Sequence, residues 1–249
     1  MAHTMAVIAL QILLLSLLAL SLTLSAAFDL EGSQTSYAKF PRWQPCQNGS
    51  LSLEFKTGRP NGLLMYSDDG GKYDFLEVKL VKGMLRLRLN LGGGAVILTI
   101  GQNLHDNNWH KLAVHRRGED SILELDEIEH YKASPGSEYA FGNITQNSFV
   151  FIGGMPIAYS AKLSLLALPS VMFEPRFRGS MRNLLYRNCG GPEERFEMIA
   201  YQGVRTNNRD ECEVDNPCVN GGVCISTDTG SICDCTNTDY EGEHCEAGE

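Results

Sequence analysis

Apolar and polar residues alternate with a period of two along much of this chain. From Leu51 to Lys56, apolar side chains fall on one face of an extended segment and polar side chains on the other, which is typical of a half-buried β-strand. The alternation returns at Leu76–Leu80 and at Leu85–Leu89. Between these segments, Val81-Lys82-Gly83 predicts a hairpin turn, because glycine adopts positive φ without strain.

Further segments have the composition of short strands, and no segment shows a convincing helical period. These segments are Leu63–Tyr66, Ala95–Ile100, Lys111–His115, Ile122–Leu125, Phe149–Ile152 and Met181–Tyr186. Clusters of Gly, Asn and Asp separate them. So many short strands predict an all-β fold, in which two antiparallel sheets pack as a jelly-roll sandwich.

The segment Met5–Ala27 is almost wholly apolar and ends in small residues. This pattern predicts a signal peptide over residues 1–27, cleaved before Phe28, and therefore a secreted, extracellular mature chain. The alternative is that the apolar run is retained as a membrane anchor. No later apolar run is long enough to cross a bilayer. Membrane association is thus expected through an uncleaved signal or a longer product.

The cysteines divide the mature chain into two units. Six of the eight lie between Cys212 and Cys245, which predicts a separate module over residues 206–249, too small to fold without disulfides. A zinc site is the weaker alternative, because Cys-x-x-Cys knuckles are absent and the compartment is oxidising. Cys46 and Cys189 remain, and we expect them to form a disulfide near the two ends of the larger domain, residues 28–205.

Charge and motifs narrow the function classes. The formal net charge of −9 argues against a surface for nucleic acid, which needs clustered Lys and Arg. The usual hydrolase, metalloprotease and nucleotide-binding motifs are missing from the sequence. Glu124 and Asp126 alternate along a predicted strand as a glycosidase pair would, but a solvated strand face is the simpler interpretation. Trp109 is likewise expected in the core with His110 beside it. We therefore expect a protein that is not an enzyme.

An ordered set of motifs resembles laminin-G-like domains over about residues 28–205. The motifs are Gly62-Leu63-Leu64-Met65-Tyr66, Asp74-Phe75-Leu76-Glu77, Asp106-Asn107-Asn108-Trp109-His110, Phe151-Ile152-Gly153-Gly154 and Phe177-Arg178-Gly179-Ser180-Met181-Arg182-Asn183. The resemblance implies a laminin-G-like, concanavalin-like β-sandwich.

The carboxy-terminal cysteines resemble those of EGF-like modules, through Cys233-Asp234-Cys235 and Asn220-Gly221-Gly222. That resemblance implies the disulfides Cys212–Cys224, Cys218–Cys233 and Cys235–Cys245. Together with the opening segments Leu30–Ser33 and Phe40–Trp43, the arrangement resembles the amino-terminal region of invertebrate α-neurexins. Neurexins continue through further modules to a membrane span, so a truncated, alternative or incomplete product is implied.

Laminin-G-like domains often bind one calcium ion at a loop edge, and the resemblance implies where such an ion would bind here. The implied ligands are the Asp74 carboxylate, the Leu91 and Asn143 carbonyls and the Thr145 side chain. Thr145 departs from the Asn of calcium-binding neurexin domains and is a poorer donor. Asn48 and Asn143 begin glycosylation sequons, and a glycan at Asn143 would compete for this rim. Calcium is thus a candidate cofactor, and the alternative is that Asp74 caps a strand.

The resemblance implies a cell-adhesion ectodomain that binds cell-surface or extracellular-matrix proteins, at synaptic contacts as in neurexins. A calcium-dependent, lectin-like carbohydrate-binding module is the alternative, and a secreted hydrolase comes third. The apolar segment Lys162–Phe173 is expected to cover one of the domain's own sheets, with a partner interface as the alternative. The sequence leaves the particular partner and the oligomeric state open.

Overall fold

The computed structural model describes residues 27–91, 93–134, 149–206, 212, 216–227 and 230–248. The strands of the larger domain are β1 (Phe28–Glu31), β2 (Tyr37–Phe40), β3 (Asn48–Lys56), β4 (Gly62–Asp68), β5 (Phe75–Val81), β6 (Met84–Asn90), β7 (Ala95–Ile100), β8 (His110–Arg117), β9 (Asp120–Leu125), β10 (Ile128–Ala133), β11 (Val150–Ile152), β12 (Arg178–Arg187), β13 (Glu193–Arg195), β14 (Ala200–Gln202) and β15 (Val204–Arg205). The carboxy-terminal module contains β16 (Val223–Thr227), β17 (Gly230–Asp234), β18 (Tyr240–Glu241) and β19 (Ala247–Gly248).

The larger domain is a sandwich of two sheets. The first sheet has the strand order β10-β9-β8-β3-β12-β1-β15, with β13 paired to β12, and the second has the order β14-β2-β11-β4-β5-β6-β7. The paired strands of both sheets run antiparallel. The hairpin β5–β6 turns at Lys82 and Gly83, whose φ angles of 52° and 73° match the right-handed twist of paired strands. The predicted all-β sandwich and this hairpin are confirmed.

The main core lies between the sheets and is filled by the apolar positions of the alternating strands. Leu51, Leu53 and Phe55 of β3 are at most 2% exposed, and they pack in one cluster with apolar side chains of β5 and β6. Trp43 is the tryptophan of this core. Trp109 is half-buried outside it, because it precedes β8 and packs under Arg182. The prediction of a core Trp109 was wrong.

The outer face of the second sheet carries a second apolar cluster. Its strands contribute Leu63, Tyr66, Phe75 and Phe151. Three 3₁₀ helices, Ile157–Ala161, Leu163–Leu165 and Pro169–Phe173, lie over this face, and we call residues 157–173 the cover segment. Leu166 and Val171 of this segment are buried there. The prediction that the apolar segment covers one of the domain's own sheets is confirmed.

Hydrogen bonds tie the cover segment to the sheet. The Asp68 carboxylate is completely buried and accepts hydrogen bonds from the Tyr66 hydroxyl at 2.8 Å and from the Ala167 amide at 3.0 Å. The Leu168 amide donates to the Tyr66 oxygen at 3.1 Å. Immediately after the segment, Lys79 Nζ lies 2.5 Å from Glu174 Oε1. Polar contacts therefore hold the middle of this apolar segment and the residue that follows it.

One disulfide links two turns of the sandwich, and three stabilise the carboxy-terminal module. Cys46 is bonded to Cys189, across 143 positions of sequence. The module contains Cys212–Cys224, Cys218–Cys233 and Cys235–Cys245, which are the same pairs that the EGF-like resemblance implied. Two salt bridges join the module to the sandwich, since Asp234 Oδ2 lies 2.5 Å from Arg59 Nη2 and 3.6 Å from Arg178 Nη1.

Candidate functional site

Asp74 and Leu91 lie beside each other at one edge of the second sheet. The register pairs Asp68 of β4 with Phe75 of β5, and Phe75 with Asn90 of β6. Asp74 immediately precedes β5 and Leu91 immediately follows β6, so strand pairing brings their loops to the same rim. The sequence motifs predicted both positions, and the sheet topology explains why they are neighbours.

The loop that presents Asp74 is organised by a second aspartate, Asp69. Its carboxylate is 6% exposed and accepts hydrogen bonds from the amides of Lys72, Tyr73 and Asp74 at 2.8, 3.0 and 3.1 Å. The Asp69 amide donates to the Asp74 carbonyl at 3.0 Å. Because both main-chain groups of Asp74 are held in this way, the position of its half-buried side chain is constrained.

Gly71 fits this loop against the cover segment. Its φ is +96°, and a Cβ built there would lie 2.6 Å from the Ser164 carbonyl oxygen, far closer than a carbon and an oxygen approach. Glycine is therefore required at this position for two reasons, the positive φ of the backbone and the close packing against the cover segment. The rim loop and the cover segment thus form one continuous surface.

Asn90 connects the two loops of the rim. Its side-chain Nδ2 donates to the Tyr73 carbonyl at 3.1 Å, and its Oδ1 accepts from the Gly94 amide at 3.1 Å. The Leu91 side chain is buried at 4% exposure, which anchors the residue whose carbonyl is the implied ligand. The roles of Asn90 and Asp69 were not predicted, because both act through main-chain contacts that leave no motif.

The remaining implied ligands, Asn143 and Thr145, lie outside the described residues, as do residues 1–26 of the predicted signal peptide. The segment that contains the two ligands precedes β11, whose Phe151 pairs with Tyr66 of β4. This register brings the start of β11 to the same edge as the end of β4. Of the implied ligands, the described part of the rim contains the Asp74 carboxylate and the Leu91 carbonyl, and both are the hard oxygen donors that Ca²⁺ prefers. Among the sequons, Asn48 is exposed at the first residue of β3.

The sequence predicted that Glu124 and Asp126 alternate along one strand face, and the structure shows that they do not share a face. Asp126 follows the end of β9 in a turn with φ of 47°, which breaks the alternation. Each carboxylate contacts a different histidine: Glu124 Oε2 lies 2.8 Å from His115 Nε2, and Asp126 Oδ2 lies 2.7 Å from His110 Nδ1. Because the turn places the two carboxylates in different environments, they do not form the paired carboxylates of a glycosidase.

His110 lies between two carboxylates, because its Nε2 is also 3.1 Å from Asp106 Oδ1. Burial alone lowers the pKa of His110, but the hydrogen bonds and charges of Asp126 and Asp106 outweigh it, so the pKa is raised above its ordinary value. Slight burial raises the pKa of Asp106, but hydrogen bonds from Asn108 and His110 outweigh this effect and lower the pKa to about 2. The cluster joins the loop before β8 to the turn after β9, which indicates a structural role.

Comparison with known proteins defines the class. The sequence profile of the laminin G domain matches residues 55–188. In solved structures, mouse laminin α1 chain domains LG4-5 superpose with a TM-score of 0.58 at 17% identity, covering 72% of this chain and 46% of that chain. The LG1-3 region of the laminin α2 chain gives 0.58 at 19% identity, covering 73% and 34%. These structures share the fold. The chain belongs to the laminin G domain family.

Within this family, the similarity to neurexins extends along almost the whole chain. Neurexin 1 of Drosophila melanogaster is 50% identical over 258 aligned residues, covering 94% of this chain and 14% of that protein. Neurexin-3a of Danio rerio is 32% identical, covering 92% and 13%, and human Neurexin-2 is 33% identical, covering 89% and 13%. The chain spans only about one seventh of the length of these curated relatives.

The family also settles the broad class of activity and compartment. The laminin G domain is a non-enzymatic binding module, so the part of the chain that this domain covers is not an enzyme. The same relatives place it among extracellular or cell-surface proteins. Among the described residues, no helix combines the length and apolar character that crossing a bilayer requires.

Proposed function

We propose that the chain is the amino-terminal part of a neurexin-like adhesion ectodomain, and that it binds extracellular protein partners through its laminin G domain. The observation that carries this proposal is the 50% identity to a neurexin over 94% of the chain. In this proposal, residues 1–27 are a signal peptide and residues 206–249 are an EGF-like module. Asn48 and Asn143 carry glycans, and the partners lie at synaptic contacts.

The rim supports a calcium-dependent contact. Asp74 and Leu91 adjoin the paired strands β5 and β6, and Asp69 and Asn90 hold their loops. Tyr73, between these supports, is 73% exposed, and exposed tyrosine is a frequent anchor in protein interfaces. In the proposal, Ca²⁺ completes its coordination with Asn143 and Thr145 and fixes the rim against a partner.

The test is binding of the purified, secreted protein to a panel of cell-surface ectodomains, with calcium present and then chelated. We expect at least one partner to bind in calcium, and Asp74→Ala to weaken that binding by about tenfold or more, equivalent to about 1.4 kcal/mol. Asp239→Ala removes an exposed aspartate from the carboxy-terminal module and is the matched control.

Two results would separate the parts of this proposal. Binding that persists without calcium and in Asp74→Ala would keep the adhesion function but exclude the calcium rim. Failure to bind any ectodomain in the panel, by protein that is folded and disulfide-bonded, would count against the adhesion function itself.

A further inference from the structure

A compact group of metal-ligating side chains lies on the outer face of the first sheet, away from the rim. His115 is on β8, Glu124 on β9 and Glu129 on β10. Glu124 is directly opposite Glu129 in the register, and it is opposite Ala113 on β8, two residues from His115. Their neighbours Leu112, Val114, Leu123 and Leu125 face the main core. The three polar side chains therefore project together from three adjacent strands.

The donor atoms of these side chains are close enough to share one ion. One ligand atom from each of the three residues lies within 4.8 Å of the other two, and His115 Nε2 is 2.8 Å from Glu124 Oε2. In a tetrahedral site with bonds of about 2.0 Å, ligand atoms lie about 3.3 Å apart. The Glu129 side chain is 40% exposed, so its rotation can bring its carboxylate oxygen to this distance without moving the sheet.

The local charges favour a bound cation. Two carboxylates directly opposite each other on neighbouring strands repel, and such pairs destabilise a sheet. Arg117 Nη2 lies 3.2 Å from Glu129 Oε1 and offsets the charge of that carboxylate in part. A divalent ion between the three side chains would neutralise both carboxylates.

The ligand types specify the class of ion. An imidazole nitrogen with two carboxylate oxygens is a donor set typical of Zn²⁺ and related first-row metals, whereas Ca²⁺ is bound by oxygen ligands. Three protein ligands leave one position of a tetrahedron for water. We propose that His115, Glu124 and Glu129 bind one Zn²⁺ ion on the outer face of the first sheet, at a site separate from the calcium rim.

Calorimetric titration of the folded protein with ZnCl₂ tests this site, using protein prepared without a polyhistidine tag. We expect one ion bound per chain, and about tenfold or greater weakening in His115→Ala and in Glu124→Gln. Glu124→Gln preserves shape while removing charge, so retained folding is expected. Co²⁺ substitution gives an independent readout, because a nitrogen-ligated tetrahedral Co²⁺ absorbs visible light and that band should disappear in His115→Ala.

Matched controls assign the binding to this cluster. His244 and Glu241 are exposed in the carboxy-terminal module, so His244→Ala and Glu241→Gln should bind Zn²⁺ as the unaltered protein does. Asp74→Ala should also leave Zn²⁺ binding unchanged, whatever its effect on calcium or partner binding. The inference is overturned if the unaltered protein shows no binding at millimolar Zn²⁺, or if His115→Ala binds Zn²⁺ with unaltered affinity.

Discussion

The two outer faces of the sandwich are stabilised in different ways. The second sheet places Tyr66, Phe75 and Phe151 on its outer face, and the cover segment excludes water from them. The first sheet places His115 and Glu124 on its outer face, with side chains that are about one-fifth exposed, and no described segment covers them. An antiparallel sheet needs burial only on a face that is apolar. The composition of each outer face thus explains whether the chain covers it.

The cover segment itself provides the sharpest test of this comparison, and the largest expected effect. Val171 is completely buried against the outer cluster, whereas Phe173, in the same 3₁₀ helix, is 80% exposed. Val171→Ala should lower the free energy of unfolding by about 2 kcal/mol, from lost apolar burial and a small cavity. Phe173→Ala should change it by less than about 0.5 kcal/mol. Urea unfolding of both variants measures the difference.

Equal effects of the two substitutions would contradict the assigned packing of the cover segment. A loss of stability in Phe173→Ala that matches that in Val171→Ala would mean that Phe173 is buried in solution, for example in an interface between copies of the chain. Sedimentation of the unaltered protein and of Phe173→Ala distinguishes such an interface from misassigned packing within one chain.

How far the sequence predicted this architecture depends on the element. Strand β6 alternates strictly between inward and outward residues and was predicted from its pattern. Strand β10 was missed because all its residues are exposed; it pairs with β9 at the sheet edge and needs no apolar face. Strand β15 is two residues long, too short for a period to show. The alternation of apolar and polar residues reveals a strand only where at least one face of that strand is buried.

The candidate site shows the same limit. The motif around Asp74 predicted its place at the rim, because it adjoins a regular strand. Asp69 and Asn90 escaped prediction because their hydrogen bonds depend on the loop conformation. Trp109 was assigned to the wrong environment because it lies one residue before β8, where strand periodicity does not determine which face a side chain occupies.

Near the start of β8 in the first sheet, charged side chains stabilise the fold, whereas the outer face of the second sheet is stabilised by apolar burial. This difference predicts that stability depends on pH. The raised pKa of His110 means that its interaction with Asp126 and Asp106 stabilises the fold fully below the unfolded value of about 6.5, and that this stability is lost as pH rises through the folded pKa. Asp106 contributes in the opposite sense: its stabilisation is present above its unfolded pKa and is lost as pH falls towards about 2.

Thermal unfolding across about pH 5 to 9 checks the histidine contribution. The unaltered protein should exceed His110→Gln in melting temperature by more at the acid end than at the alkaline end. The difference between the two proteins isolates His110, because the other histidines are common to both. A constant difference across this range would show that His110 contributes through packing, for example against Phe55, without a proton-linked term.

The smallest expected effect is at Arg182, in the middle of the open face. Its guanidinium carbon lies 4.0 Å from the centroid of the Trp109 ring, and its Nε lies 2.7 Å from Glu54 Oε2. Because the side chain is 35% exposed, solvent screens the ion pair, and Arg182→Ala should lower the free energy of unfolding by about 1 kcal/mol or less.

Arg182→Lys should recover little of this loss, since an ammonium group cannot reproduce the planar stacking. Molar salt should shrink the ion-pair part of the difference. A loss as large as that of Val171→Ala, insensitive to salt, would mean that the first sheet also depends on a buried outer cluster, and the contrast between the two faces would fail.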